Sequence, residues 1–192
     1  MRKQIGLFFG TFNPIHLGHV IIGGYMLEFA SIDELWFVVT PHNPHKQKSS
    51  LLNDYTRLEL VRLAIGENHK MRVNDVEFGL SQPSYTSSTL AHLHEKYPDY
   101  DFALIMGEDN LKSLHKWHNY EYVLNEHRII VYPRMGDTEM GRISHPNVEY
   151  TSAPVIELSS SFIRSAIKEG RNVDYMMPTA VAEYIQKSNL YC

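Results

Sequence analysis

The chain has 192 residues, of which 43% are hydrophobic and 21% charged, with a formal net charge of −4. That size and balance suit one α/β domain with a sizeable core. The acidic balance argues against a general nucleic-acid or anionic-membrane binder, while leaving room for a local basic pocket. The only cysteine is Cys192, so no disulfide forms within the chain and a reducing cytoplasm fits. The apolar run near the start is too short for a signal segment, and no stretch approaches the roughly 20 apolar residues that span a bilayer.

Residues 4–9 read as a buried strand, followed by a loop to about residue 15 and an apolar helix to about residue 30. Residues 35–39 (LWFVV) form a second buried strand, and TPHNPHKQKSS is a loop punctuated by two prolines. Asn53 or Asp54 can cap a helix to Ile65, with Leu58, Val61 and Ile65 on one face. Residues 71–76 are a weaker strand, and SYTSSTLAHLHEKY is a helix whose hydroxyl residues crowd its start. A strand at 102–106 leads into short helices at 109–114 and 120–125. Further strands are expected at 128–132 and 148–151, then a helix at 162–168 stopped by Gly170 and a last one at 178–187. Short, continuously apolar strands alternating with helices indicate a doubly wound, mainly parallel sheet covered on both faces. Such sheets bind ligands beyond the carboxyl ends of their strands.

The stretch GTFNPIHLGH, residues 10–19, follows the first strand directly. Gly10 permits a tight turn, Pro14 biases Asn13 toward an extended backbone, and Gly18 presents bare main chain between His16 and His19. The histidines are three apart, so in a first helical turn they share a face. Imidazole donors beside helix-start N–H groups make a site for an anion such as phosphate. The chain has neither G-x-x-x-x-G-K-[ST] nor G-x-G-x-x-G, so phosphate would be held by another device. Two polar residues near a helix start would be the plain alternative. A zinc site lacks a third and fourth ligand in any recognised pattern.

GTFNPIHLGH resembles the G-x-F-D-P-x-H-x-G-H signature of the H-x-G-H nucleotidyltransferase superfamily, with Asn13 where aspartate is usual. ELSSSFIR, residues 157–164, resembles that superfamily's I-S-S-T-x-I-R, with Leu158 and Ser161 as mild replacements. TPHNPHK, SYTSSTL and IMGEDNLKSLHKW are similar, in that order, to segments of the bacterial nicotinate-nucleotide adenylyltransferase family. The resemblance covers nearly the whole chain. It implies a Rossmann-like fold in a single domain, residues 1–192, whose helices from about residue 160 complete an ATP site.

It further implies AMP transfer from ATP to nicotinate mononucleotide, with release of pyrophosphate, as a step in NAD biosynthesis. His16, His19 and Arg164 would be catalytic. Gly10, Thr11, Phe12, Gly18, His19, Gly107, Asp109, Ser159, Ser160, Ser161 and Arg164 would bind ATP. Lys46, Thr86, Trp117 and His118 would hold the mononucleotide. Magnesium would ride mainly on the ATP phosphates, without a protein cage. Small-molecule substrates are the expected partners, a homo-oligomer is left open, and neither nucleic acid nor membrane is expected.

The residues themselves fit these roles. Ser159–Ser161 offer hydroxyls and N–H groups at a helix start, and Arg164 one turn inside offers a planar fork of donors. Trp117 offers a flat face, Asp109 an acceptor, and His118 with Asn119 a helix start for a carboxylate. The plain alternatives are a serine cap, a packed tryptophan, helix caps at Thr86 and Asp109, and a solvated Lys46. Rival functions are adenylyl transfer to nicotinamide mononucleotide or phosphopantetheine, and a silent nucleotide-binding module, toward which Asn13 points.

Overall fold

The computed structural model describes residues 2–41, 51–136 and 142–192. Among them, the strands are β1 (Lys3–Gly10), β2 (Glu34–Val39), β3 (Met71–Asn74), β4 (Tyr100–Gly107), β5 (Ile129–Tyr132) and β6 (Val148–Tyr150). The α-helices are α1 (Leu17–Phe29), α2 (Asp54–Ile65), α3 (Thr86–Lys96), α4 (Glu108–Ser113), α5 (Tyr120–Glu126), α6 (Ser160–Lys168) and α7 (Thr179–Lys187). The strands form one sheet in the order β3-β2-β1-β4-β5-β6, and every pairing is parallel. This is the Rossmann-like, doubly wound order, and chain direction across the sheet reverses between β1 and β4.

Apolar residues in the central strands divide between two cores because successive side chains leave a strand on opposite faces. Phe8, Phe37, Ile105 and Ile130 join Ile22, Leu58, Ile163 and Val181, from α1, α2, α6 and α7, on one face. Leu7, Trp36, Leu104 and Val131 join Leu90, Leu111 and Val123, from α3, α4 and α5, on the other. The continuously apolar runs seen in the sequence therefore report strands covered on both sides.

Element ends differ from the periodicity reading for identifiable reasons. β3 stops at Asn74, whose Oδ1 accepts the Val76 N–H at 2.8 Å and turns the chain into a 3₁₀ turn, Val76–Gly79. α6 starts at Ser160 rather than Phe162, because Ser159 Oγ accepts the Phe162 N–H and caps the helix. α5 starts at Tyr120, after Asn119 in the left-handed region at φ 53°. His118 therefore precedes that helix instead of opening it.

One side chain fixes where the chain leaves β1 and β2. Arg57 of α2 is fully buried. Its guanidinium donates to the carbonyls of Thr11 (2.6 Å), Thr40 (2.8 Å), Leu52 (3.1 Å) and Pro41 (3.3 Å), and pairs with Asp54. Burial pulls its pKa down and Asp54 offsets part of that pull, yet an arginine stays charged under all ordinary conditions.

Two stability predictions follow from these buried groups. Arg57→Met strands several buried carbonyls, each costing about 1–3 kcal/mol, so a loss of several degrees in Tm is expected. An unchanged Tm would show that the clamp contributes nothing. His127 is buried with Nε2 unpartnered among the described residues. Burial first, and then neighbouring His94, depress its pKa from 6.5 to about 4. The unfolded chain therefore takes up this proton first as the medium is acidified. The stability is intact above about pH 6.5 and is lost progressively toward pH 4. His127→Phe should flatten the fall in Tm across that window, and an unaltered slope would refute the assignment.

Candidate active site

β1 and β4 end side by side, at Gly10 and Gly107, and the space beyond them is a cleft of about 420 Å³. The loop after β1 forms one wall and the first turn of α6 another. Thr11, His16, Gly18, His19, Ser159, Ser160, Ser161 and Arg164 all line it. Residues about 150 positions apart thus meet in one place. Two bonds make the junction: Ser160 Oγ donates to the Pro14 carbonyl at 2.9 Å, and Arg164 Nη1 to the Asn13 carbonyl at 2.8 Å. Arg164 also reaches Ser161 Oγ at 3.3 Å.

The imidazole pair is built into the start of α1. His16 is the N-cap residue and His19 the third residue of the helix, whose Nδ1 accepts the His16 N–H at 3.3 Å. Acceptance at Nδ1 places the His19 proton on Nε2. The rings lie 3.8 Å apart and 32° from parallel. His16 is buried, and its Nδ1 has no partner among the described residues. Burial, and secondarily the charge of Arg134, lower its pKa to about 4. At neutral pH His16 is therefore an uncharged imidazole, a weak donor and acceptor rather than a cation. Gly18 admits it: a Cβ there would stand 3.0 Å from His16 Cε1 and Nδ1.

Asn13 is buried, and its side-chain oxygen accepts from Tyr191 Oη at 2.8 Å and from the Leu52 N–H at 3.2 Å. Burial raises the Tyr191 pKa, so the hydroxyl remains a donor. A carboxylate could accept the same two bonds. The replacement of aspartate therefore leaves this junction intact, and Asn13 ceases to argue for a silent module.

Other expected site residues stand apart from the cleft. Gly10 and Phe12 do not line it. Phe12 is a core residue whose ring packs edge-on against His19 at 5.1 Å and so holds that imidazole in place. Gly107 and Asp109 sit at the rim, where Arg134 pairs with Asp109 at 3.3 Å. Thr86 opens α3, while Trp117 is half-buried against the second core. His118 stacks on Tyr85, with ring centroids 4.6 Å apart, and lies 3.4 Å from Ser87 Oγ. The start of α3 and the Trp117–His118 segment thus form a second, aromatic cluster. Lys46 lies outside the described residues.

Sequence reasoning missed two residues here. Arg134 lines the cleft, and its signal was present: a basic residue one proline beyond the apolar run IIVY, where parallel strands present their ligands. Glu77 is buried beneath α3, accepting from Thr89 Oγ1 at 2.8 Å. Burial raises its pKa, against opposing hydrogen bonds from Thr89 and Thr40. No local pattern announced it.

Chemically, the cleft is one for a polyanion with an apolar appendage. Its described lining holds two imidazoles, two guanidinium groups, five hydroxyls (Tyr132 among them) and no carboxylate, together with Ile22, Pro154, Ile156 and Leu158. Among the described residues, no helix is long and apolar enough to cross a membrane.

Known proteins agree with this architecture. The cytidylyltransferase-like family model matches residues 7–166. A probable nicotinate-nucleotide adenylyltransferase of Flavobacterium johnsoniae is 55% identical over 98% of both chains. One of Christiangramia forsetii is 50% identical over the full length of both. Among solved structures, a Plasmodium falciparum nicotinic acid mononucleotide adenylyltransferase complexed with NaAD superposes with a TM-score of 0.79, covering 98% of this chain and 97% of that one. At 22% identity that likeness speaks for the fold. The chain belongs to the cytidylyltransferase-like family, among its nicotinate-nucleotide adenylyltransferases.

Proposed function

We infer that the protein transfers the AMP moiety of ATP to nicotinate mononucleotide, giving nicotinate adenine dinucleotide and pyrophosphate, a step of NAD biosynthesis. The observation that carries this reading is the convergence of His16 and His19 with Ser160, Ser161 and Arg164 in one cleft free of carboxylates among its described lining. The names borne by relatives 50–55% identical over at least 98% of this chain support the choice of acceptor.

The acceptor brings its own nucleophile, a 5′-phosphate oxygen already ionised at neutral pH. Its oxygen forms the new bond to the α-phosphorus, and the bond to the β-phosphate oxygen breaks, releasing pyrophosphate. No general base is required; the work is alignment and stabilisation of negative charge. His19, protonated at Nε2, donates to the α-phosphate. His16, uncharged, supports the phosphate chain by dipole and hydrogen bond. Arg164, its fork steadied by the Asn13 carbonyl, holds the β- and γ-phosphates with the N–H groups of Ser160 and Ser161. Thr11, Gly18 and Ser159 complete the wall, while Gly10 and Phe12 act from behind it. Asp109, beside Gly107, accepts from the ribose hydroxyls.

On the acceptor side, Thr86 and the main chain at His118 meet the nicotinate carboxylate and Trp117 stacks on the pyridine ring; Lys46 would approach phosphate. Magnesium would be carried on ATP oxygens. The cleft offers cationic and hydroxyl donors, and among the described residues no group of three or more His, Cys, Asp or Glu side chains could hold a metal. A cytoplasmic location fits a chain with one exposed cysteine.

The direct test incubates the protein with ATP, magnesium and one acceptor at a time. Pyrophosphate should appear with nicotinate mononucleotide in preference to its amide and to phosphopantetheine; silence with all three would refute the reading. His19→Ala should lower turnover by roughly 10²-fold, the scale of losing one donor to developing charge, and near-normal turnover would remove His19 from the chemistry. Trp117→Ala should raise the KM for the mononucleotide more than that for ATP; equal changes would count against stacking.

A further inference from the structure

Both acidic residues that open α4 carry an arginine from the segment after β5, and the two pairs differ in character. Glu108 is buried and meets Arg142 Nε at 3.2 Å. That pair ties Arg142 to the start of α4. Asp109 meets Arg134 Nε at 3.3 Å with side chains 55% and 45% exposed. A long, solvated pair of this kind contributes little and opens easily. Arg134 is also the member that lines the nucleotide cleft, alongside His16, His19 and Arg164.

The pair is assembled around an absent side chain. A Cβ on Gly107 would stand 2.4 Å from Asp109 Oδ1 and 3.1 Å from Arg134 Nε. The guanidinium also lies 5.6 Å over the ring of Tyr132, which supports its carbon stem at the cleft wall. Its charge is felt at His16, inside the phosphate-facing wall. A cation so placed, balanced by a carboxylate that the ribose would need, suggests an exchange of partners.

We propose that Arg134 is a further ATP-contacting residue held in reserve on Asp109: entry of the nucleotide transfers Asp109 to the ribose hydroxyls and Arg134 to the phosphate chain. This rests on reading the cleft as the ATP site. Without nucleotide, the pair gives one of the two guanidinium groups of the cleft a counter-ion. With nucleotide, each member trades a weak solvated contact for a bond to the ligand. Asp109 is thereby a specificity element for ribose, and Arg134 one for the charged chain.

Calorimetric binding of a non-hydrolysable ATP analogue and of adenosine, without acceptor, tests the exchange. Arg134→Gln should weaken the analogue about tenfold, the scale of one charge-assisted contact, while adenosine affinity stays within about twofold. The salt dependence of analogue binding should also become shallower, which a merely structural loss would not produce. Arg134→Lys, keeping a charge without the fork, should recover part of the affinity. Unchanged analogue binding in Arg134→Gln, or equal losses for analogue and adenosine, would overturn the proposal. Failure of the unaltered protein to bind the analogue would overturn the nucleotide reading itself.

Discussion

The guanidinium of Arg57 lies where β1 and β2 leave the sheet, fully buried, holding main-chain carbonyls from both exits and from residue 52. The cleft depends on it. The chain at these exits is irregular, and buried irregular backbone has carbonyls that neither a sheet ladder nor water can satisfy. A single planar cation with a fork of donors satisfies several at once. It thereby fixes the direction in which the loop of residues 11–14 leaves β1. The imidazoles at the start of α1 take their place from that direction.

The same device recurs around the loop. The carbonyls of Thr11, Asn13 and Pro14 are taken by Arg57, Arg164 and Ser160, and the Asn13 side chain by Leu52 and Tyr191. Partners come from α2, the residue stretch just before it, α6 and the chain beyond α7. Arg164 therefore has two tasks. It braces the loop through one nitrogen and faces the cleft. Its position is set by the structure that it helps to set, which is how a flexible side chain becomes preorganised for phosphate at low entropic cost.

The doubly wound sheet was legible because burial on both faces writes itself as short unbroken apolar runs, and LFF, LWFVV and FALIM are such runs. The imidazole pair and Ser159–Arg164 were legible because together they resemble a nucleotidyltransferase signature; Ser159–Arg164 alone reads equally well as a serine cap followed by a surface arginine. What the sequence hid was tertiary. Arg57 looks like a polar residue beside the Leu58–Val61 stripe, and only the exits of two strands make it a core residue. Glu77 sits in a short 3₁₀ turn with no pattern of its own. Phe12, grouped by motif with the nucleotide, has a core side chain packed edge-on against His19. Motif membership assigns residues to a site but does not distinguish those that face the ligand from those that hold the ones that do.

The tie between Asn13 and Tyr191 joins positions 178 apart. Contacts so distant along the chain close slowly and late, because the entropy of a long loop must be overcome before they return anything. During synthesis the sheet and the α1 imidazoles can form while the last helix is still being made, but the loop beside them has its full set of braces only once residue 191 has arrived. Competence to grip a nucleotide thus waits on residue 191, and chains that stop short of it are ill-suited to sequestering ATP unproductively.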